Sequence, residues 1–136
     1  MKQLLAMMCM LMFASCHNPA GNPDLASTPY PMNLHTATSV PIQVIRTDEY
    51  VEIVNSTANH YIDSRLWINQ RYSMNLPPFR AGETLRINLW SLRDSFGEQF
   101  NAGGVWRTDE PTPVVIAEIQ ASDSTWLVGL VVIGQD

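Results

Sequence analysis

From residue 40 onward, apolar residues fall in short runs that alternate with polar ones. That is a period of two rather than 3.6, and it predicts strands. "EYVEIVN" (49–55) sets Val51 and Ile53 against Glu52, and "TLRINLW" (84–90) sets Leu85, Ile87 and Leu89 against Arg86 and Asn88. "VPIQVIR" (40–46) is a β-branched run whose Pro41 suits the start of an edge strand. "DSRLWINQRY" (63–72) reads as one strand, with Leu66 and Ile68 on one face and Arg65, Trp67 and Asn69 on the other. "TPVVIAEIQ" (112–120) and "STWLVGLVVIG" (124–134) follow, joined by a hairpin turn at "ASDS". The last run is apolar on both faces, as in a central strand covered on both sides. Between 91 and 111, "SLRDSFGEQFNAGGVWRTDEP" breaks the rhythm. One helical turn is expected there at "LRDSFGEQF", and then a glycine-rich loop.

Six or seven strands without a helix-period segment predict an all-β body. The expected architecture is a single antiparallel immunoglobulin-like β-sandwich over residues 40–136, the size usual for that fold. The body has neither the inter-sheet cysteine pair of antibody domains nor a tryptophan that the pattern assigns to their core position. A small Greek-key barrel is the alternative.

The first sixteen residues, "MKQLLAMMCMLMFASC", have another character. Lys2 gives a short positive start, Leu4 to Phe13 an apolar run of about ten residues, and Ala14 and Ser15 two small residues before Cys16. The run is shorter than the roughly 20 residues a membrane span needs. "Phe13-Ala14-Ser15-Cys16" resembles the lipobox of bacterial lipoproteins, with Phe13 where that family prefers an aliphatic residue. The resemblance implies cleavage before Cys16 and acylation of its thiol and its new amino group. It also implies attachment to the cell envelope through those acyl chains, two or three of which anchor stably. His17, where an inner-membrane retention signal would have aspartate, implies the outer membrane facing the periplasm. Both cysteines, Cys9 and Cys16, lie in this leader region, so no disulfide is expected in the body. Residues 16–39 carry four prolines and no period, and predict a semi-rigid tether in which His17 and His35 are solvated. "WINQRYSMNLPPFRAGETLRINLWSLRDSFGEQF" is also similar to small uncharacterised envelope lipoproteins of Gram-negative bacteria, a likeness to which no activity attaches.

Charge narrows the partners. The net charge is −5, and with Lys2 removed seven arginines face thirteen acids, a net of −6. Nucleic acid is not an expected partner, because phosphate binding needs clustered Lys and Arg. Docking on anionic lipid by charge is not expected either.

Candidate chemistry is sparse. The sequence contains no nucleophile elbow, zincin motif, P-loop or dinucleotide fingerprint, and no catalytic residue, metal site or cofactor is expected. His60 is the only histidine of the body, and with Asp63 it is the only pair from which a serine triad could be drawn. Asp94, Glu98, Thr108, Asp109 and Glu110 supply oxygens near the long connection, without the spacing of a calcium loop. Aromatics are the better candidates. Trp106, Trp90, Arg107 and Phe96, all in or beside the 91–111 connection, are the expected binding residues, whereas Trp67 and Trp126 are expected to be buried. The expected function is a non-catalytic binding or assembly module, with another envelope protein as its partner. Recognition of carbohydrate or cell wall through exposed aromatics is the alternative, and a hydrolytic enzyme comes last. An unpaired edge at "VPIQVIR" would favour the protein partner.

Overall fold

A computed structural model describes residues 21–134 of the chain. The expected export signal, Cys16 and His17 lie outside the described residues. The alternating runs become β1 (Ser39–Thr47), β2 (Tyr50–Asn55), β3 (Arg65–Ile68), β4 (Tyr72–Asn75), β5 (Thr84–Asn88), β6 (Ala117–Gln120) and β7 (Val128–Ile133). They form one mixed sheet in the order β4-β3-β6-β7-β1-β2-β5. Among the described residues there are short 3-10 turns but no α-helix.

The sheet curls because its two halves bury the same core. Ile42, Val44, Val51, Ile53 and Ile87 from β1, β2 and β5 pack with Leu66, Ile68, Ala117, Ile119 and Leu130 from β3, β6 and β7. At about 25 cal/mol per Å² of apolar surface removed from water, this shared core is the main stabilising term. Leu92, Phe100 and Ala102 extend it under the long connection, where Tyr72 meets Phe100 edge to face with ring centroids 5.1 Å apart.

Several expectations are corrected. The sheet is not wholly antiparallel, since β1 and β7 run parallel. They are the first and last strands, so no turn between them dictates direction. "VPIQVIR" is not an edge, because β1 lies between β7 and β2. Pro41 instead sits where the β1–β7 register shifts, between Ser39 and Gln43, as a residue without an N–H would. Residues 63–72 are not one strand. Asn69 and Gln70 take φ of 53° and 56°, which turns the chain into a hairpin pairing Ile68 with Tyr72. No helical turn forms at "LRDSFGEQF"; the 3-10 turn lies earlier, at Leu89–Ser91. Of residues 112–120 only 117–120 are strand. β7 is central, but Val131 and Ile133 on its outer face are half-exposed.

The expected tether is the largest difference. Residues 21–38 lie across the outer face of β4, β3, β6 and β7. Asn22 N donates to Gly97 O (3.2 Å), Ser27 N to Asp94 O (2.8 Å) and Leu127 N to Leu34 O (2.7 Å). Tyr30 stacks edge-on against Trp67 at 5.3 Å. Trp67, on the outward side of β3 as the alternation has it, is thereby buried, and its indole N–H donates to Gln120 Oε1 at 2.9 Å. His35 is exposed as expected, but it is also engaged: its Nδ1 lies 2.7 Å from Glu118 Oε1. Proline content described the local conformation of this strap and said nothing of what it lies against.

Gly97 has φ +80°, and a Cβ on it would overlap the Asn22 backbone. Gly97→Ala is therefore expected to detach the start of the strap and lower stability by roughly 1–3 kcal/mol. Limited proteolysis would then show new cleavage between residues 21 and 28. Wild-type resistance in this variant would contradict the docked strap.

Candidate functional site

The long connection from β5 to β6 is held in shape by three polar anchors. Asp94 is buried. Its Oδ2 accepts from Arg71 Nε (2.9 Å) and Nη2 (2.7 Å), and its Oδ1 from the backbone N–H of Phe96 (2.9 Å) and Glu98 (2.8 Å). Burial raises the Asp94 pKa, but Arg71 and the two amides outweigh it and hold the carboxyl below its usual range. Arg71 also pairs with Glu98. Asn101 ties the middle: its Oδ1 accepts from Gly103 N at 3.2 Å and its Nδ2 donates to Glu110 O at 3.0 Å. Arg46, on β1, donates to the carbonyls of Ala102 and Thr112, fastening both ends of the glycine-rich part to the sheet. Burial lowers the Arg46 pKa.

Between these anchors the chain projects Trp106. Gly103 and Gly104 take φ of +85° and +123°, and a Cβ on Gly104 would collide with the Glu49 carboxylate. Only glycine allows this approach. Arg107 N then donates to Gly104 O at 3.1 Å, closing a turn with Val105 and Trp106 at its tip. Val105 is 92% and Trp106 96% exposed. Behind the tip, the Arg107 guanidinium lies 4.3 Å from the Trp90 ring centroid. The cleft so formed, ≈ 350 Å³, is lined by Glu49, Trp90, Gln99, Trp106 and Arg107 together with the glycines. An adjoining hollow of ≈ 690 Å³ shares Glu49 and Gly103–Val105 and adds Asp48, Tyr50 and Arg86, whose guanidinium covers the Tyr50 ring at 4.0 Å.

Of the four expected binding residues, the structure brings Trp106, Trp90 and Arg107 together. Phe96 stands apart, 73% exposed on the Asp94–Gly97 turn and outside the lining of the cleft. Trp126, expected to be buried, is 58% exposed, in the turn between β6 and β7. The pattern missed Glu49 and Gln99. Glu49 follows Asp48, whose φ of 51° makes the β1–β2 turn and swings Glu49 toward the loop, and no local signal in the sequence reports that meeting. His60 Nδ1 accepts from the Ala81 backbone N–H at 3.2 Å. Asp94 and Glu98, considered for calcium, are engaged by Arg71, and the described residues contain no group of three or more His, Cys, Asp or Glu placed to hold a metal ion.

No family model, curated protein or solved structure matches the chain. The chemistry of the cleft has to be read from its own residues. It combines an exposed indole face, a second indole capped by a cation, a carboxylate and a primary amide. Such a set stacks on one face of a flat ligand and hydrogen-bonds its rim.

Because the folded Asp94 carboxyl titrates lower than the unfolded one, its contribution is complete above about pH 3.9, the unfolded value. It is lost as pH falls through the folded value. Asp94→Asn is expected to destabilise at pH 7 and to flatten the acid limb of a urea-unfolding series. An acid limb identical to wild type would contradict the role given to Asp94.

Proposed function

We propose that the chain is a lipoprotein of the bacterial cell envelope, anchored through acylated Cys16 in the outer membrane and facing the periplasm. Its body is a non-catalytic binding module of immunoglobulin-like architecture, and the Trp90–Trp106 cleft recognises a carbohydrate of the envelope. The strand order supports the architecture. With β1 as strand A, β2 and β5 take the places of B and E, β3, β6 and β7 those of C, F and G, and β4 that of C′, so that β1 stands in the one curled sheet where the two sheets of that fold would meet. One departure is that Trp67 on β3 faces away from the core cluster and under the strap.

The observation that carries the ligand class is the near-complete exposure of Trp106 beside Glu49, Gln99 and Arg107. A large apolar ring left in water costs free energy unless it has a partner, and sugars present the C–H faces and hydroxyl rims this set fits. The reading that "VPIQVIR" captures a protein partner along an open edge loses its support, because β1 is paired on both sides.

Trp106→Ala is expected to weaken binding of soluble peptidoglycan fragments by about tenfold, corresponding to loss of ~1.4 kcal/mol. The melting temperature should stay unchanged, since the side chain packs on little. Wild-type affinity in this variant, measured by calorimetry, would contradict the sugar reading. The anchor is tested separately. Mass spectrometry of the mature protein is expected to find acylated Cys16 as the first residue, and Cys16→Ser to leave the membrane fraction. An unmodified Cys16 would overturn the lipoprotein reading.

A further inference from the structure

The docked strap fixes where an anchor at Cys16 can be. Gly21 passes so close to the backbone of Phe96–Glu98 that a Cβ on it would overlap that backbone, and Asn22 is hydrogen-bonded to Gly97. Gly21 is the fifth residue after Cys16, so five Cα–Cα steps join them. Fully extended they span at most about 18 Å, so this end of the body is confined to the membrane surface rather than held tens of ångströms away.

The surface around that point suits the confinement. Phe96, 73% exposed, sits on the turn against which Gly21 packs. Leu25, 51% exposed, sits on the 3-10 turn Pro23–Leu25, where its N–H donates to Asn22 O at 2.9 Å. Each of the two segments that meet at Gly21 and Asn22 thus carries an exposed apolar side chain, Leu25 on the strap and Phe96 on the turn. Of the three acids nearby, Asp24, Asp94 and Glu98, the last two share Arg71, which offsets part of their charge. Phe96, which has no part in the cleft, gains an account of its exposure.

From these observations we infer that the Phe96–Leu25 surface is a membrane-contact face, with Phe96 inserted at the headgroup–acyl boundary of the bilayer that holds the acyl chains. This rests on the lipoprotein reading. An interfacial aromatic adds apolar burial to the covalent anchor and needs no basic residues, consistent with the acidic net charge. The contact orients the body as well as attaching it. The strap's rigid course, rather than a swinging tether, sets which face looks at lipid and which looks at the periplasm.

The test uses the full acylated protein in vesicles of phosphatidylethanolamine and phosphatidylglycerol that carry brominated acyl chains. The body has no cysteine of its own, so Phe96→Cys and Asp123→Cys each accept one fluorescent label. Asp123 lies in the turn leading to Leu127, at the other end of the strap's path. The label at 96 is expected to be quenched several-fold more than the label at 123. A long Gly/Ser insertion between Cys16 and Gly21 is expected to reduce that difference. Equal quenching in protein whose Cys16 is acylated by mass spectrometry would overturn the membrane-contact face and leave the lipoprotein reading standing. An unacylated Cys16 would overturn both.

Discussion

A carboxylate in an apolar interior must be hydrogen-bonded or paired, and Glu118 is 1% exposed in the middle of β6. No strand neighbour satisfies it. Its partners come from the strap: Tyr30 donates its hydroxyl to Oε2 at 2.7 Å, and His35 Nδ1 lies 2.7 Å from Oε1. Burial and the hydrogen bond to Glu118 both hold the Tyr30 hydroxyl protonated, so it remains a donor. Had the strap not docked, Glu118 would be solvated and Trp67 would face water. The outer surface of β3 and β6 is therefore finished by a segment whose Tyr30 and His35 lie more than eighty residues before Glu118 in the sequence. That same docking fixes where the chain leaves the body toward its N-terminus.

The strap's start at Gly21 is held by the Phe96–Glu98 turn, which exists because Asp94 gathers Arg71 and two amides. That turn opens the long connection whose later half, fastened by Asn101 and Arg46, projects Trp106. The turn against Gly21 and the cleft are thus parts of one connection, stabilised by side-chain hydrogen bonds, buried at Asp94 and part-buried at Arg46, rather than by regular pairing. Buried contacts of this kind are costly to break one partner at a time, which is how an irregular loop keeps a single shape.

Legibility of the sequence divides along the same line. Strands β1, β2 and β5 were readable because one face of each is buried, and period two reports that directly. The β3–β4 hairpin was not, since Asn69-Gln70 lacks the glycine that usually marks such a turn, and its positive φ values are sustained by tertiary contacts. Asn69 shows how: its Oδ1 accepts from Val115 N and its Nδ2 donates to Pro113 O, both from a distant segment. In the site, Trp90, Trp106 and Arg107 were legible as aromatic and cationic residues of one irregular stretch. Glu49 and the exclusion of Phe96 were not, because both depend on which loops meet. The docking of the strap was the least legible feature. Tyr30 and His35 are unremarkable in a polar, proline-rich run until Glu118 is known to lie beneath them.

Native-state hydrogen exchange of the full chain addresses this dependence most directly. The Ser27 amide, bonded to Asp94 O, and the Leu127 amide, bonded to Leu34 O, exist as protected sites only if the strap is docked. Both are expected to exchange orders of magnitude more slowly than in the unfolded chain. Glu118→Ala is expected to abolish their protection while leaving β1–β2 protected. Exchange of Ser27 and Leu127 at the unfolded rate in the wild-type protein, with the sheet protected, would contradict the docking of the strap.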